Sequence, residues 1–476
     1  MVLLLLSVLD RFCEKLTSQQ VSCSILILMP RCLTAYFCSP ISFCFALLTN
    51  SFRSAIRYSA KCATSPGTSC QKLIGRKISL LYAVTFLLIL PMLFHDVRHS
   101  AFYLHLNKTA ITELMKNANS RRIVQAEKYF SLLNNSRTLD QHQQQSGNTS
   151  GKVITVALTI ITVSRNRHQI DSYEPKYLTQ TVWKFRSLLE KWRHRNHRLG
   201  IHLSICNVDS LVASYHEAHS LSKFVPMFSR FNDTHFSLVH TLEKEKQDYV
   251  FCLNKSLAVN NADYVFLVED DALPTEDVFD VLQRVILMHT EQSFIRGEFR
   301  CKPSDVAFVK FYHPERLLGF ISLEPERLPE LFSYAAILST LLTIVYAVTW
   351  GFAAPSDGVT VNACWTRLFV FSLIVVLSSG RTGISEWRRL ASPTLYSYTT
   401  APSCCTPAML FPRSSALRTV SYLNSSTCSN NFGKDSLLDK MRQDLRLTAH
   451  LVQPNTFTHI GVYSSLRLRV VDPFMV

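Results

Sequence analysis

Charge is scarce in this chain. Asp, Glu, Lys and Arg make up 18% of its 476 residues, against 47% hydrophobic ones. That balance is low for a protein wetted on every side, so apolar segments of membrane-spanning length are sought first. Glycine loops that cradle phosphate are missing too. Neither G-x-G-x-x-G nor G-x-x-x-x-G-K-[ST] occurs, which removes the dinucleotide-binding and P-loop readings. Long Lys/Arg runs are also absent. The 50 Lys+Arg outnumber 35 Asp+Glu, for a formal net charge of +15, but they are scattered, and no nucleic acid partner is expected. Finally, residues 1–77 carry no N-x-S/T triplet and no coherent hydrophobic period, so this cytosolic or poorly defined extension is assigned no fold.

Three apolar segments set the broad class. Ile78–Phe94 has no charge and follows Arg76 and Lys77, while no acidic residue lies between Arg53 and Lys77. The positive-inside bias makes 78–94 a transmembrane anchor with a cytosolic N-terminus. Leu331–Trp350 is a second uncharged run, and Leu368–Ser379 a third that reaches spanning length only with help from Val361–Arg367. Asn107, Asn134, Asn148, Asn232 and Asn254 begin sequons between the first and second segments, and Asn424 begins one after the third. A shared lumen for both regions requires residues 331–379 to form a transmembrane hairpin, down and back. The expected order is then anchor 78–94, luminal stem and linker 95–152, a first catalytic part 153–330, the hairpin 331–379, and a second catalytic part 380–476. In an oxidising lumen Cys206 and Cys252 are the best single candidates for a disulfide, though spacing alone does not fix connectivity.

Within the luminal part, Ala110–Leu133 reads as a helical stem with Leu114, Ile123, Val124 and Tyr129 on its apolar side. Val153–Arg165 is a β-branched run, the composition of a strand buried on both faces. Tyr177–Arg195 has helical spacing, Arg198–Ser210 reads as a strand, and Thr241–Asn260 as a helix presenting Tyr249, Cys252 and Leu253. Another strand runs through Tyr264–Val268, and Thr275–His289 follows as a helix with Thr275 at its N-cap. This alternation predicts an α/β domain with a mostly parallel sheet and flanking helices, whose ligands sit at the carboxyl ends of strands.

At that end of the third strand stand three carboxylates in a row, Glu269, Asp270 and Asp271. Hard divalent cations such as Mn²⁺ or Mg²⁺ take oxygen ligands and leave positions open for substrate phosphates. Successive residues point in different directions, so Asp270 and Asp271 are expected at metal and ribose while Glu269 turns toward the protein. The plainer reading is an acidic turn before the next helix. A glycosidase would use two such carboxylates without nucleotide or metal, and a non-enzymatic multispan protein would leave the strand–helix alternation unexplained.

Six stretches in order carry a resemblance: "EKEKQDYVFCL" (243–253), "DYVFLVEDDALP" (263–274), "KFYHPERL" (310–317), "CCTPAMLFP" (404–412), "FGKD" (432–435) and "HIGVYSSLR" (459–467). The chain resembles the Golgi enzymes that add an N-acetylgalactosamine side branch to glycosylphosphatidylinositol (GPI) anchors. The resemblance implies a GT-A-like transferase domain interrupted by a two-helix transmembrane hairpin and preceded by an N-terminal anchor. It implies a Golgi membrane protein with a luminal catalytic domain, UDP-GalNAc as donor, Mn²⁺ or Mg²⁺ as cofactor, and a mannose of GPI glycolipid or GPI-anchored protein as acceptor, with another UDP-sugar transferase such as an N-acetylglucosaminyl branching enzyme as the alternative. Residue by residue, Glu269, Asp270 and Asp271 correspond to the acidic motif for metal and UDP-sugar. Val163 and Ser164 lie where the family touches nucleotide, with Ser164 replacing the acid expected there. Pro407 and Ala408 are implied to line the sugar or acceptor pocket, and His459 to close on metal or diphosphate. Asp435 is the candidate general base of an inverting displacement, acting with Asp271, and Lys434 beside it is a candidate phosphate contact. A carboxylate at a helix start also has a plain role, pairing with the helix dipole.

Overall fold

The computed structural model describes residues 80–95, 97, 100–102, 108–136, 153–165, 175–193, 198–231, 241–291, 305–320, 327–350, 358–392, 395–429, 432–464 and 469–471. The N-terminal extension, the linker near 140–152 and Cys301 lie outside the described residues. The chain divides into two compact units, one built from Met1–Phe102 and Leu323–Gly380, the other from Tyr103–Ser322 and Arg381–Val476.

The first unit is helical. Helix Arg327–Trp350 contains a stretch, Arg327–Val345, long and apolar enough to cross a membrane, whereas Leu80–Phe94 and Trp365–Ser379 are apolar but shorter. The two helices expected for the hairpin are thus present as Arg327–Trp350 and Gly358–Ser379, and one of them meets the spanning criterion. Leu90, Phe94, Leu342, Phe371 and Val375 pack together inside this unit, with Tyr82 edge-on to Phe371 at 5.0 Å. Its outward positions are apolar as well: Leu87, Leu88, Ile337, Leu341 and Ile344 are all exposed.

The second unit is a mixed α/β layer structure. Its elements are α1 (Lys108–Ser136), β1 (Ile154–Thr162), α2 (Tyr177–Arg193), β2 (Leu199–Asn207), α3 (His216–Leu221), β3 (Met227–Ser229), α4 (Thr241–Ala258), β4 (Tyr264–Glu269), β5 (Ala272–Pro274), α5 (Val278–Glu291), β6 (Val306–Lys310), α6 (Arg381–Ala391), β7 (Ser397–Thr400), β8 (Ala408–Pro412), α7 (Arg413–Ser425), α8 (Lys434–Asp444), β9 (Thr448–Gln453), β10 (Phe457–His459), β11 (Tyr463–Ser464) and β12 (Arg469–Val470). Eight strands form one sheet in the order β3-β2-β1-β4-β8-β6-β9-β7. The first four run parallel, as the β-branched runs predict. Beyond β4 the sheet turns mixed, because β8 lies antiparallel to both β4 and β6, and β7 antiparallel to β9.

The alternation of side chains along β4 explains its lack of polar residues. Tyr264, Phe266 and Val268 enter one core layer beneath α2 and α5, while Val265 and Leu267 enter the opposite layer against α4, α7 and α8. Each such side chain, fully buried, contributes about 2 kcal/mol relative to exposure. Cys206 of β2 and Cys252 of α4 are both fully buried and form a disulfide, as expected.

Three local expectations need correction. The stem helix α1 buries Ile111, Met115, Ala126 and Phe130, whereas Leu114 and Val124 are exposed; the buried face follows four-residue steps from Ile111. Helix α5 starts at Val278, and the Thr275 hydroxyl donates to Asp277 and to the Thr456 carbonyl, so Thr275 is a turn residue and not the N-cap. Leu445, which three- and four-residue spacing from Leu438 and Met441 predicts on the core face, closes α8 at an exposed position, while Leu437, Leu438 and Met441 are buried.

Candidate active site

The carboxyl end of β4 lies at the seam between the parallel and mixed halves of the sheet. On one side the β1–β4 register places Ile161 opposite Glu269, so the chain leaving β1 runs beside Asp270 and Asp271. On the other side Pro407 accepts the Glu269 N–H at 2.8 Å, which brings the turn before β8 against Glu269.

Asp270 and Asp271 are 3% and 6% exposed. Two adjacent buried carboxylates persist only with compensating charge and hydrogen bonds. Arg165, three residues past β1, supplies the charge: its guanidinium donates to Asp270 Oδ1 and, at 2.9 Å, to Asp271 Oδ2. It also donates to the Tyr463 carbonyl at 3.0 Å and lies over the Tyr177 ring, 4.8 Å from its centroid. Thr162 donates to Asp270 Oδ2 at 2.7 Å, and Thr181 holds the Asp270 carbonyl at the same distance. Strand β10 closes the other flank, where His459 pairs with Ala272, Ile460 N–H donates to the Asp271 carbonyl, and His459 Nε2 sits 3.5 Å from Asp271 Oδ2. A Cβ at Gly461 would come within 2.5 Å of Asp271 Oδ2 and 2.9 Å of the His459 ring, so only glycine fits.

The two aspartates titrate in opposite directions. Burial pushes the Asp270 carboxyl up, against the pull of Arg165, and the neighbouring Asp271 charge adds to the rise. Burial opposes ionisation of Asp271 too, but Arg165 and His459 outweigh it and hold that carboxyl well below the usual range.

Glu269 points away from this pair. Its Oε1 accepts from Lys434 Nζ at 3.2 Å and from the Thr406 hydroxyl at 3.1 Å. Lys434 is also paired with Glu245 at 2.7 Å, so two carboxylates already share its charge. Asp435 begins α8, where its Oδ2 accepts the Cys405 N–H at 2.7 Å and its Oδ1 lies 3.4 Å from the same Thr406 hydroxyl. The turn that presents this N–H contains Cys404 and Cys405, joined to each other and both at positive φ, and Lys310 secures it by donating to the Pro402 and Cys404 carbonyls. A small, open cleft lies here, lined by Lys310, Cys404, Thr406, Asp435, Asp439 and Arg442 among others.

Of the residues singled out from the sequence, Asp270, Asp271 and His459 converge at one pole, and Glu269, Lys434 and Asp435 at another, with Thr406 touching both Glu269 and Asp435. Ser164 is tied through its N–H to Asp209 Oδ2 at 2.9 Å, and Val163 packs against the core layer beside α4. Ala408 is 1% exposed within β8 and packs into the core; Pro407 is buried as well, and its carbonyl accepts the Glu269 N–H. Sequence reading missed Arg165, Thr162 and Thr406. A buried acid pair at a strand end demands a cation from the adjacent strand end, and Arg165 is the residue that meets that demand.

Among the described residues, no group of three or more His, Cys, Asp or Glu side chains converges to hold a metal unaided. Asp271 Oδ1 is buried with no hydrogen-bond partner, and with His459 it offers two donors on one side. That set fits a divalent cation whose remaining ligands are phosphates and water, the usual arrangement for ions that accompany nucleotides.

Comparison with known families places the whole arrangement. The family described as GPI-N-acetylgalactosamine transferase PGAP4 matches residues 156–458, from within β1 to within β10, well over half of the chain. The match takes in Glu269, Asp270, Asp271, Lys434 and Asp435 and the segment inserted between β6 and β7, ending one residue before His459, and the chain therefore belongs to the PGAP4 family of GPI-N-acetylgalactosamine transferases.

Proposed function

We propose that the chain transfers N-acetylgalactosamine from UDP-GalNAc to a mannose of the GPI-anchor glycan core, carried by GPI glycolipid or a GPI-anchored protein. The observation that carries this reading is the buried Asp270–Asp271 pair at the carboxyl end of β4, faced by His459 and lying beside a separate carboxylate, Asp435, at the mouth of a cleft. Such a division suits single displacement: the donor diphosphate belongs at the aspartate pair, and the acceptor hydroxyl at Asp435. Asp271 and His459 would hold Mn²⁺ or Mg²⁺, which when bound neutralises the departing diphosphate. Asp435 is fixed by the Cys405 N–H on one oxygen, and its other oxygen, 3.4 Å from the Thr406 hydroxyl, is the one to take the proton of the attacking hydroxyl. Inversion of the anomeric centre follows from one displacement. Residence in the Golgi membrane with the catalytic unit in the lumen accords with the exposed sequon residues Asn134, Asn254 and Asn424, and with an apolar helix of spanning length.

Mass spectrometry of GPI glycans from cells lacking the protein tests the assignment. Loss of the N-acetylhexosamine branch, restored by wild type but not by Asp271→Ala, supports it. An unchanged branch removes it, and transfer of N-acetylglucosamine by the purified protein would shift the donor to the branching-enzyme alternative.

A further inference from the structure

We infer that Arg165 is a built-in counter-cation that holds Asp270 and Asp271 until nucleotide arrives, so that a divalent cation enters with the nucleotide and not before it. The inference rests on the reading of the aspartate pair as the donor pole. Its own ground is the geometry of Arg165. The side chain is 10% exposed and spans both carboxylates, donating to one oxygen of each. Its remaining contacts, the Tyr463 carbonyl and the Tyr177 ring, hold the guanidinium over the pair from the β11 side. Asp271 Oδ2, the oxygen nearest His459, is the same oxygen that accepts from Arg165. A cation taking Asp271 and His459 as ligands therefore competes with the guanidinium for the same carboxylate. Asp271 Oδ1, which has no hydrogen-bond partner, is open to the cation, but two cations on one buried carboxylate repel, so each weakens the other's binding.

A nucleoside diphosphate changes that balance. Guanidinium matches phosphate oxygens as well as it matches carboxylates. With a diphosphate at the strand end, Arg165 exchanges one partner for another and the freed carboxylate receives the metal. By linkage, nucleotide must then tighten metal binding by the same factor that metal tightens nucleotide binding. Arg165 is thus a positioning residue for metal and diphosphate, assigned by its place across the acid pair.

The test uses the full-length protein purified in detergent, with free Mn²⁺ followed by electron paramagnetic resonance in the presence and absence of UDP. For wild type, UDP is expected to tighten Mn²⁺ binding at least tenfold. In Arg165→Met and Arg165→Ala, Mn²⁺ is expected to bind without UDP at least tenfold more tightly than to wild type, and the UDP effect should shrink. Thermal denaturation supplies a second readout: removal of Arg165 lowers the melting temperature, and Mn²⁺ alone restores more of it than it adds to wild type. The inference is overturned if wild type binds Mn²⁺ equally well with and without UDP, whether or not the variants fold. It is also overturned if folded variants bind Mn²⁺ no better than wild type. If wild type binds neither Mn²⁺ nor UDP, the donor-pole reading falls with it; if it binds both independently, that reading stands and only the role of Arg165 falls.

Discussion

The two carboxylate poles at the end of β4 lie within a few residues of one another and are built on opposite plans. Asp270 and Asp271 are sealed, with their charge met by one arginine that belongs to the neighbouring strand end. Glu269 and Asp435 are more open; Glu269 retains 31% side-chain exposure, the pair shares a threonine hydroxyl, Lys434 pairs with Glu269, and Asp435 lines a cleft. On the proposed function, this difference lets one strand end serve two substrates. A buried, charge-compensated pair suits a permanent electrostatic task such as holding a diphosphate. A half-buried carboxylate held by one backbone N–H and a longer threonine contact suits a group that must meet and release a proton.

The comparison can be broken in several ways, beginning with the largest effect. Asp271→Asn should lower transfer about 1000-fold, the size of losing a preorganised electrostatic contact, and should abolish acceptor-independent UDP-GalNAc hydrolysis as well; retention of either activity above a tenth would merge the two poles. Asp435→Asn should cost about 100-fold or more in kcat with little change in the KM for donor, measured by initial rates at saturating acceptor. Lys434→Met leaves Glu269 and Glu245 facing each other without a cation and should reduce stability by about 1–2 kcal/mol, since both carboxylates keep some solvent; thermal melts of the variant beside a Glu269→Gln, Lys434→Met double variant test it, because the second change should return part of the loss. The smallest effect concerns Lys310. Burial lowers its ammonium from 10.5 to about 8. The unfolded chain therefore binds more protons than the folded one between those values, and stability should rise with pH across that window. That slope should flatten in Lys310→Met; an identical slope would show that the lysine beneath the Cys404–Cys405 turn does not titrate there.

Legibility in the sequence followed how local each cause was. Strands β1 and β4 announce themselves because burial on both faces calls for a nearly unbroken run of apolar and β-branched residues. The acid cluster is equally plain, since charge at the end of such a run is out of place. Strand β8 gives no such sign: the resemblance implies only that Pro407 and Ala408 line a pocket, yet Ala408–Pro412 pairs with β4 from more than a hundred residues away, across the inserted helices. Its place depends on long-range pairing that no local period encodes. Arg165 hid for a related reason. In sequence it is one basic residue in "VSRNRH"; only the parallel register of β1 with β4, and the return of Tyr463, bring it over Asp270 and Asp271. Asp435 was legible as a helix-start acid, but its tie to Cys405 required the left-handed turn that folds back on α8.

UDP affinity of Asp435→Asn by isothermal titration with Mn²⁺ present, set beside its transfer rate, tests the division between donor pole and acceptor pole. The expected result is a Kd for UDP within about threefold of wild type while transfer falls by about 100-fold or more. UDP binding that weakens in step with transfer would contradict that division and make the two poles a single site.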